Sequence, residues 1–379
     1  MMKDIYVQAR TDHVASLAGA APTAAVEELV WNALDADAHD VRVDVLTNPL
    51  GGIEAVRVAD DGTGIDVSRA DETFGSLGGS WKRADGVVTK ADGRRLHGRH
   101  GRGRFKAFAL GAHVEWRTTL KTDGALASYV LSGDASEPNV FHVAQSEKPG
   151  PATGTEVFIT NIRSAAVSLL EASAVVQTLA AKFALYLKAY PTVRVWFNGI
   201  PVSPVVVQQR ATDYTLSLPH GETAKLEIIE WRRRFAGSGR LVFCGGDGFA
   251  RYDRPAGVRT GWGYSFTAYL VSPRIDALAA ENALMMDELH PEVRACLDAA
   301  RKTIRAHFRV RMAEDAEARL ARWIAEKSYP YAADDASPAR VAFDAAVADL
   351  RAHLECFDAL PSRERAYLFQ LLKKAAENG

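Results

Sequence analysis

Hydrophobic residues in the first half of the chain alternate between helical and strand spacing. Apolar positions three and four residues apart predict a helix from Thr23, a candidate N-cap, to about Ala36. A second helix is predicted over 171–189, and VRVWFNGIPV is typical of a hairpin with Asn198 and Gly199 in its turn. Two-residue alternation predicts strands at VRVDVL, EAVRVAD, HVEWRTTL, LASYVLSG, NVFHVAQ and TEVFITNI.

Strands continue after residue 205, and helices dominate the C-terminal third. The predicted strands are LEIIEW, RLVFCG and SFTAYLV. A long helix is predicted from Pro291 to about Lys327, with an apolar stripe that includes Met312 and Ile324, and further helices begin near Pro338 and Ser362. We therefore expect three parts: a domain over 1–204, a strand-rich domain over 205–290 and a helical region over 291–379.

Composition narrows the class of protein. The chain has 379 residues, 47% hydrophobic and 25% charged, which excludes wholesale disorder and favours more than one domain. A formal net charge of -1 excludes a globally basic coat for nucleic acid. Three cysteines without a CxxC pair fit neither a disulfide framework nor a cysteine-rich zinc module. The N-terminus has no apolar core, and no long apolar run follows, so we expect a cytoplasmic protein outside the membrane.

One face of the first predicted helix carries Glu28, Asn32 and Asp35, spaced by four and then three residues. For this helix alone, the simpler interpretation is the solvated face of an amphipathic helix. A carboxylate one turn from an amide also suits a site where one group activates water and the other holds a metal.

Three glycine-containing segments follow that helix, and each is weak on its own. ADDGTGI, from Ala59 to Ile65, follows an alternating strand and is a common turn sequence, and acidic glycine loops also bind calcium. In GRHGRGRFKAFALG, glycines precede a helix start, which suits a phosphate, although a flexible loop without a ligand fits equally well. TGTEVFI is a Gly-Thr pair entering a strand.

Together and in this order, the four elements resemble the ATP-binding signature of the GHKL superfamily, which includes gyrase, the ninety-kilodalton heat-shock chaperones, histidine kinases and MutL. VEELVWNALDADAHDVRVDV looks most like MutL and MORC, and GRHGRGRFKAFAL is similar to the chaperones and MORC. The resemblance covers about 26–159, and more weakly to about 203. It implies a Bergerat fold: an α/β two-layer sandwich with helices on one face of a mixed sheet, followed here by a smaller α+β region and a helical C-terminus.

The resemblance also assigns roles by matched position. Glu28 is the general base that activates water, and Asn32 coordinates magnesium bridging the phosphates of ATP. Asp35 supports the nucleotide through water, and Asp60 accepts the adenine amino proton. These assignments imply an enzyme that hydrolyses ATP, with ATP and Mg²⁺ as its ligands.

The remaining matched positions surround the adenine and the phosphates. Gly62 and Gly64 let the loop pass close to the base, and Thr155 closes the adenine network. A mobile lid over 78–106 wraps the phosphates. The phosphate-binding positions implied by the resemblance are Gly98, Gly101, Arg102, Gly103, Arg104 and Lys106.

The lid segment is strongly basic. Two acidic residues, Asp85 and Asp92, accompany nine basic ones. These are Lys82, Arg83, Lys90, Arg94, Arg95, Arg99, Arg102, Arg104 and Lys106. The positive charge suits phosphate neutralisation and, with weaker support, contact with a nucleic-acid backbone. For the residues before Gly98, a solvated charged loop is an equal alternative.

The resemblance favours a compact magnesium-dependent ATPase with slow turnover, whose hydrolysis drives lid closure, an open and closed cycle and ATP-dependent homodimerisation. Only 27 residues precede Glu28, too few for the helical hairpin of a sensor kinase. Arg274 is a candidate γ-phosphate sensor, although an ordinary surface arginine fits as well. The alternative is a nucleotide-gated interaction module or DNA clamp, for example in a bacterial defence or DNA-repair assembly, in which hydrolysis is not the output.

Overall fold

The computed structural model describes most of the chain in separate ranges. They are 3–6, 20–69, 88–89, 92–94, 96, 103–138, 140–146, 148–218, 221–232, 238–260, 264–332, 335–354 and 357–378. The chain divides into two compact units, with the division between Gln209 and Arg210. The predicted boundaries near 204 and 290 stay predictions.

The first unit combines one large sheet with helices. Its strands in the described ranges are β1 (Lys3–Tyr6), β2 (Asp40–Thr47), β3 (Ile53–Asp60), β4 (Gly111–Thr122), β5 (Ala125–Asp134), β6 (Val140–Gln145), β7 (Gly154–Ile162), β8 (Arg194–Phe197) and β9 (Ile200–Pro201). Its helices there are α1 (Pro22–Asp35), α2 (Gly103–Lys106), α3 (Ala172–Ala189) and α4 (Pro204–Val207), with 3-10 turns at Val67–Arg69, Ala107–Ala109 and Ser164–Leu170.

These strands form a mixed sheet in the order β1-β6-β5-β4-β7-β3-β2-β8-β9. β2 and β8 are parallel, whereas β3 is antiparallel to β7 with Asp60 opposite Thr155. Asn198 and Gly199 have positive φ angles of 48° and 75°, as a tight hairpin turn between β8 and β9 requires. The predicted α/β fold with a mixed sheet is confirmed.

α1 packs against β2 and β3 of the sheet and against α3. Its apolar positions from Ala25 to Leu34 are buried, as the helical spacing predicts. The Trp31 ring lies 4.7 Å from the Phe183 ring and 5.2 Å from the Tyr186 ring, both on α3. This apolar contact turns the polar side of α1, with Glu28 and Asn32, away from the core.

The start of α1 differs from the prediction. The N-cap is Ala21 rather than Thr23, and no side chain caps the helix. Pro22 occupies the first helical position, where its fixed φ angle suits a helix and its missing N–H costs no intrahelical hydrogen bond. The capping prediction for Thr23 was therefore wrong, although the helix itself is confirmed.

The second unit contains a smaller sheet and longer helices. Its strands in the described ranges are β10 (Gln208–Ser217), β11 (Thr223–Trp231), β12 (Arg240–Cys244), β13 (Ala250–Pro255) and β14 (Ser265–Val271), in the order β10-β11-β14-β12-β13. Its helices there are α5 (Pro273–Ala280), α6 (Pro291–Ala325), α7 (Pro338–His353) and α8 (Ser362–Asn378), with 3-10 turns at Ala283–Leu289 and Phe357–Ala359. Sequence patterns did not predict β10, β13 or α5.

α6 contributes to two apolar cores. Its first half, including Leu297 and Phe308, packs with the buried side chains of the second sheet. Near its other end, Trp323 packs with Phe343 of α7 and Phe369 of α8. Met312 and Ile324 are exposed, so the predicted single stripe was wrong at these two positions.

A buried polar network fixes α6 on the second sheet. The Glu230 carboxylate of β11 accepts hydrogen bonds from Arg311 at 3.1 Å and pairs with His307 at 3.1 Å. Glu230, His307 and Arg311 are all buried. Because a buried charge is unfavourable without a partner, their mutual contacts compensate for the loss of water.

Within the described ranges, no single helix is long and apolar enough to cross a membrane. A bent pair, Ser164–Leu170 followed by α3, meets the length and composition test only when its two pieces are taken together. The apolar positions of α3 are mostly buried within the first unit.

Candidate functional site

The end of β3 places one carboxylate at the centre of the predicted adenine site. Two-residue alternation puts Asp60 on the same side of the strand as the buried Val56 and Val58. Its Oδ1 accepts hydrogen bonds from the backbone N–H of Gly62 at 2.9 Å and of Thr155 at 3.2 Å. Burial raises the pKa of Asp60 to about 6, although these two amides favour the charged form.

The two glycines after Asp60 are needed because the backbone is crowded. A Cβ atom at Gly62 would lie 2.6 Å from the carbonyl oxygen of Ala36. Gly64 has a φ of 80°, and a Cβ there would collide with the carbonyl oxygen of Thr119. Both positions therefore exclude a side chain because of the protein's own backbone. Their closeness to an adenine base stays a prediction.

Thr118 joins the two predicted parts of this site and was missed in the sequence. Its Oγ1 accepts a hydrogen bond from the N–H of Ile65 at 2.8 Å and lies 3.1 Å from Oγ1 of Thr155. Thr118 is a polar residue at a buried position of β4, on the same side as Val114 and Trp116. A threonine on an otherwise apolar strand face was the signal that could have found it.

The loop between α1 and β2 supports the glycine turn from the other side. The Ala36 carbonyl accepts a hydrogen bond from the N–H of Thr63 at 2.7 Å. Oδ1 of Asp61 accepts the N–H groups of His39 at 2.7 Å and of Asp40 at 2.8 Å. The two adjacent aspartates thus have different tasks: Asp61 holds the backbone, and Asp60 faces the predicted adenine site.

The predicted catalytic residue is paired with a predicted phosphate ligand. Nζ of Lys106 donates to Oε2 of Glu28 at 2.7 Å, and both side chains are partly buried. α2, which carries Lys106, contacts α1 directly. Asn32 is exposed one turn from Glu28, and Asp35 is partly buried at the end of the helix. The polar face predicted for α1 is present, with Glu28 already engaged by a cation.

The predicted phosphate-binding positions fall partly within the described residues. Gly98, Gly101 and Arg102 lie outside the described residues. Gly103 and Arg104 begin α2, and Lys106 ends it. The structure therefore brings together Asp60, Gly62, Gly64 and Thr155 in one network and Glu28 with Lys106 in another. Among the described residues, these two networks contain the predicted site residues that contact one another.

Two basic residues have surroundings that the sequence did not indicate. Arg94, predicted as part of a charged loop surface, is only 2% exposed, and its Nη1 donates to the Ala38 carbonyl at 2.8 Å. The prediction that Arg94 faces a nucleic-acid backbone was wrong, because its guanidinium lies inside the first unit. Arg274 lies in α5 rather than at a strand end, and its guanidinium donates to both carboxylate oxygens of Glu292 at 2.7 and 2.8 Å.

Metal ligands are sparse in this region. No three His, Cys, Asp or Glu side chains converge on a metal site within the described ranges. The exposed amide of Asn32 beside the carboxylate of Glu28 still suits Mg²⁺, which accepts few protein oxygens and takes the rest from water and substrate phosphates.

Comparison with known proteins finds a family match over the segment that contains the candidate site. No curated protein matches the chain. Residues 20–155, which carry α1, the Asp60 turn and Thr155, match the family model described as histidine kinase-, DNA gyrase B-, and HSP90-like ATPase. This match supports the GHKL superfamily for that segment and implies ATP binding.

Proposed function

We propose that the first unit is a magnesium-dependent ATPase that uses hydrolysis to switch a partner between two states. The Asp60 carboxyl is the observation that carries this proposal. Both of its hydrogen bonds from described residues end on Oδ1, which leaves Oδ2 as an acceptor for a ligand. A buried carboxylate with a raised pKa and an acceptor to spare suits the amino group of a nucleotide base.

The surroundings of Asp60 favour a flat ligand with polar edges. Gly62 and Gly64 have no side chain at the turn, and the hydroxyls of Thr118 and Thr155 lie 3.1 Å apart beside it. Glycines permit close approach of an aromatic base, and the Thr155 hydroxyl, held by Thr118, can donate to or accept from its ring nitrogens. Adenine, with its exocyclic amino donor, fits this set.

Hydrolysis requires a change at Glu28. A general base must accept a proton from the attacking water, and the Lys106 ammonium occupies Oε2 of Glu28 at 2.7 Å. We propose that Lys106 turns to the phosphates of bound ATP and frees Glu28, which makes turnover slow. Asn32 would hold Mg²⁺, which supplies charge neutralisation at the phosphates.

Calorimetry with ATP, ADP and GTP, together with a phosphate-release assay, tests this proposal. We expect binding of the adenine nucleotides, weaker binding of GTP and slow release of phosphate that depends on magnesium. Guanine carries a carbonyl where adenine has its amino donor, so Asp60 would face an acceptor. Failure to bind any adenine nucleotide would exclude the proposal.

The pH dependence of ATP affinity should report the ionisation of Asp60. The free carboxyl has a pKa of about 6, and only its charged form is a full acceptor at both oxygens, Oδ1 for the two amides and Oδ2 for the adenine amino proton. ATP affinity should therefore fall by up to about tenfold for each pH unit below 6. The ratio of affinities of the natural protein and Asp60→Asn isolates this effect, since titration of the ATP phosphates is common to both. A ratio that is constant from pH 5 to 8 would assign the site to another group.

The alternative function is a switch in which ATP occupancy, not hydrolysis, is the output. The Glu28–Lys106 ion pair favours this alternative, because it neutralises the only acid that the resemblance assigns to water activation. We propose dimerisation on ATP binding for either function. Sedimentation with ADP and with a non-hydrolysable ATP analogue would measure it, and a monomer in both would count against it.

Contact with nucleic acid is tested by salt dependence. Lys82, Arg83, Lys90 and Arg95 lie outside the described residues, and Arg94 no longer belongs to this set because it is buried. If the four touch a phosphate backbone, DNA or RNA affinity should fall steeply with salt, by a slope close to the number of contacts. Reversing the four charges should flatten that slope and leave ATP affinity unchanged. No binding at low salt, with or without an ATP analogue, would leave a protein partner as the client.

A further inference from the structure

Arg94 is a buried cation on the segment between β3 and α2. Its backbone forms a short bridge with Thr89, with the Thr89 N–H donating to the Arg94 carbonyl at 2.6 Å and the Arg94 N–H donating to Oγ1 of Thr89 at 2.9 Å. Its guanidinium lies 3.3 Å from the Asp92 carboxylate and 3.6 Å from that of Asp37. Burying an arginine is unfavourable unless it is compensated, and here the guanidinium has two carboxylates within 4 Å and one hydrogen bond, from Nη1 to the Ala38 carbonyl.

Three separate elements meet at this guanidinium. Besides Asp92 on its own segment, Arg94 contacts the α1–β2 loop through the Ala38 carbonyl at 2.8 Å and through Asp37. On α3, it lies next to the phenol of Tyr186, where burial raises the pKa of the tyrosine and the arginine opposes that rise. His39 of the same loop pairs with Asp92 at 3.0 Å.

The α1–β2 loop is also the support of the candidate adenine turn. Towards the turn, the Ala36 carbonyl accepts a hydrogen bond from the N–H of Thr63, and the Asp61 carboxylate accepts hydrogen bonds from the N–H groups of His39 and Asp40. One five-residue loop, 36–40, is therefore hydrogen-bonded to the Asp60 turn on one side and to Arg94 on the other. At its N-terminal end it continues directly from α1, which carries Glu28, Asn32 and Asp35.

We propose that Arg94 is a positioning residue for ATP binding: its buried guanidinium fixes the loop over 36–40 and so sets the position of the Asp60 turn. This inference rests on the proposed ATP-binding function and goes beyond it. Arg94 does not touch the nucleotide in this account. It acts through Ala38 and Asp37 on a turn whose hydrogen bonds leave little freedom.

A purely structural role predicts a different pattern of effects. If Arg94 only compensates buried charge, removing it and the Asp37 charge together should restore both stability and ATP affinity. If Arg94 positions the loop, the double change should restore part of the stability but not the affinity, since the hydrogen bond to the buried Ala38 carbonyl is still absent. Asp37 has a φ of 64°, a conformation that asparagine accepts readily, so Asp37→Asn keeps the backbone and the acceptor for the N–H of Asp92.

Calorimetry with ATP and thermal melting, each on the full chain, distinguish these cases. We expect Arg94→Met to raise the ATP dissociation constant by about tenfold, the loss expected when one orienting hydrogen bond is removed, and to lower the melting temperature. In Asp37→Asn/Arg94→Met, the melting temperature should recover in part while the dissociation constant stays raised. Arg94→Lys, which keeps the charge without the forked donors, should give an intermediate affinity.

Arg163→Met is the matched control. Arg163 is exposed and follows the end of β7 opposite to Thr155, so its replacement should change neither quantity. Recovery of ATP affinity together with stability in the double variant would overturn the positioning role and leave the proposed ATPase intact. Absence of ATP binding in the natural protein would instead overturn the proposed function, and this inference with it.

Discussion

Replacing Glu28 by alanine is expected to lower the rate of ATP hydrolysis by about a hundred- to ten-thousandfold, the contribution typical of a positioned general base. ATP should still bind, because the predicted adenine contacts come from the Asp60 turn and not from α1. The ion pair adds a second reason. Without Glu28, Lys106 has lost its carboxylate partner at 2.7 Å and is available to the phosphates, so ATP affinity should be unchanged or higher.

Glu27→Ala is the control for this variant. Glu27 is the neighbouring carboxylate on the same helix, lies 3.9 Å from Lys182 of α3 and has no assigned role. Single-turnover phosphate release should be slow only in Glu28→Ala, and calorimetry should find ATP bound by both. Hydrolysis at the natural rate in Glu28→Ala would place the base elsewhere and favour a switch that does not depend on this residue.

Asp60→Asn is expected to weaken ATP binding by about ten- to a hundredfold, since a hydrogen bond to a charged acceptor contributes roughly 1.5–3 kcal/mol. An asparagine can keep the acceptor for the N–H groups of Gly62 and Thr155. Its amide nitrogen then replaces Oδ2 and presents a donor to the adenine amino group, which is also a donor. The loss is therefore specific to the ligand and not to the turn.

The same substitution should stabilise the free protein at neutral pH. The Asp60 carboxyl has a pKa of about 6 in the folded chain and 3.8 as its ordinary value, so the folded state binds a proton that the unfolded state has already released. The free energy of unfolding consequently falls as pH rises from about 4 to 6, and an amide avoids this loss of up to about 3 kcal/mol.

Calorimetry and melting curves at pH 7 would measure both effects of Asp60→Asn. Asp66→Asn, which removes one charge from an exposed position of the same turn region, should leave both nearly unchanged. Weaker ATP binding together with a higher melting temperature would show that Asp60 contributes to ligand binding at a cost to stability. Natural affinity in Asp60→Asn would contradict its assignment to the adenine.

Local patterns predicted most of the helices and strands, and they predicted on which side of β3 and α1 the candidate site residues lie. Alternation located β3, and with it the side of the strand on which Asp60 lies beside Val58. Helical spacing separated the buried side of α1 from Glu28 and Asn32. These properties depend on residues within a few positions of each other, which is the range over which periodicity carries information.

Contacts between distant residues could not be read in the same way. Glu28 and Lys106 are 78 positions apart, and no pattern in either segment indicates that they pair. Arg94 stands among other basic residues and has the composition of a solvated loop, but Asp37 and the Ala38 carbonyl lie more than fifty positions earlier. Weakly patterned elements were missed as well: β13 carries Arg251, Asp253 and Arg254 at partly buried positions and has no clear apolar side.

The two cores on α6 make the middle of that helix a rigid spacer. Arg311 is its one buried side chain between Phe308 and Trp323, a stretch of about 22 Å at 1.5 Å per residue. Alanine, glutamate and arginine are frequent there, so backbone hydrogen bonds and strong helix propensity supply its stiffness in place of packing. The number of residues in this spacer sets both the separation of the two cores and their rotation about the helix axis, by about 100° for each residue inserted.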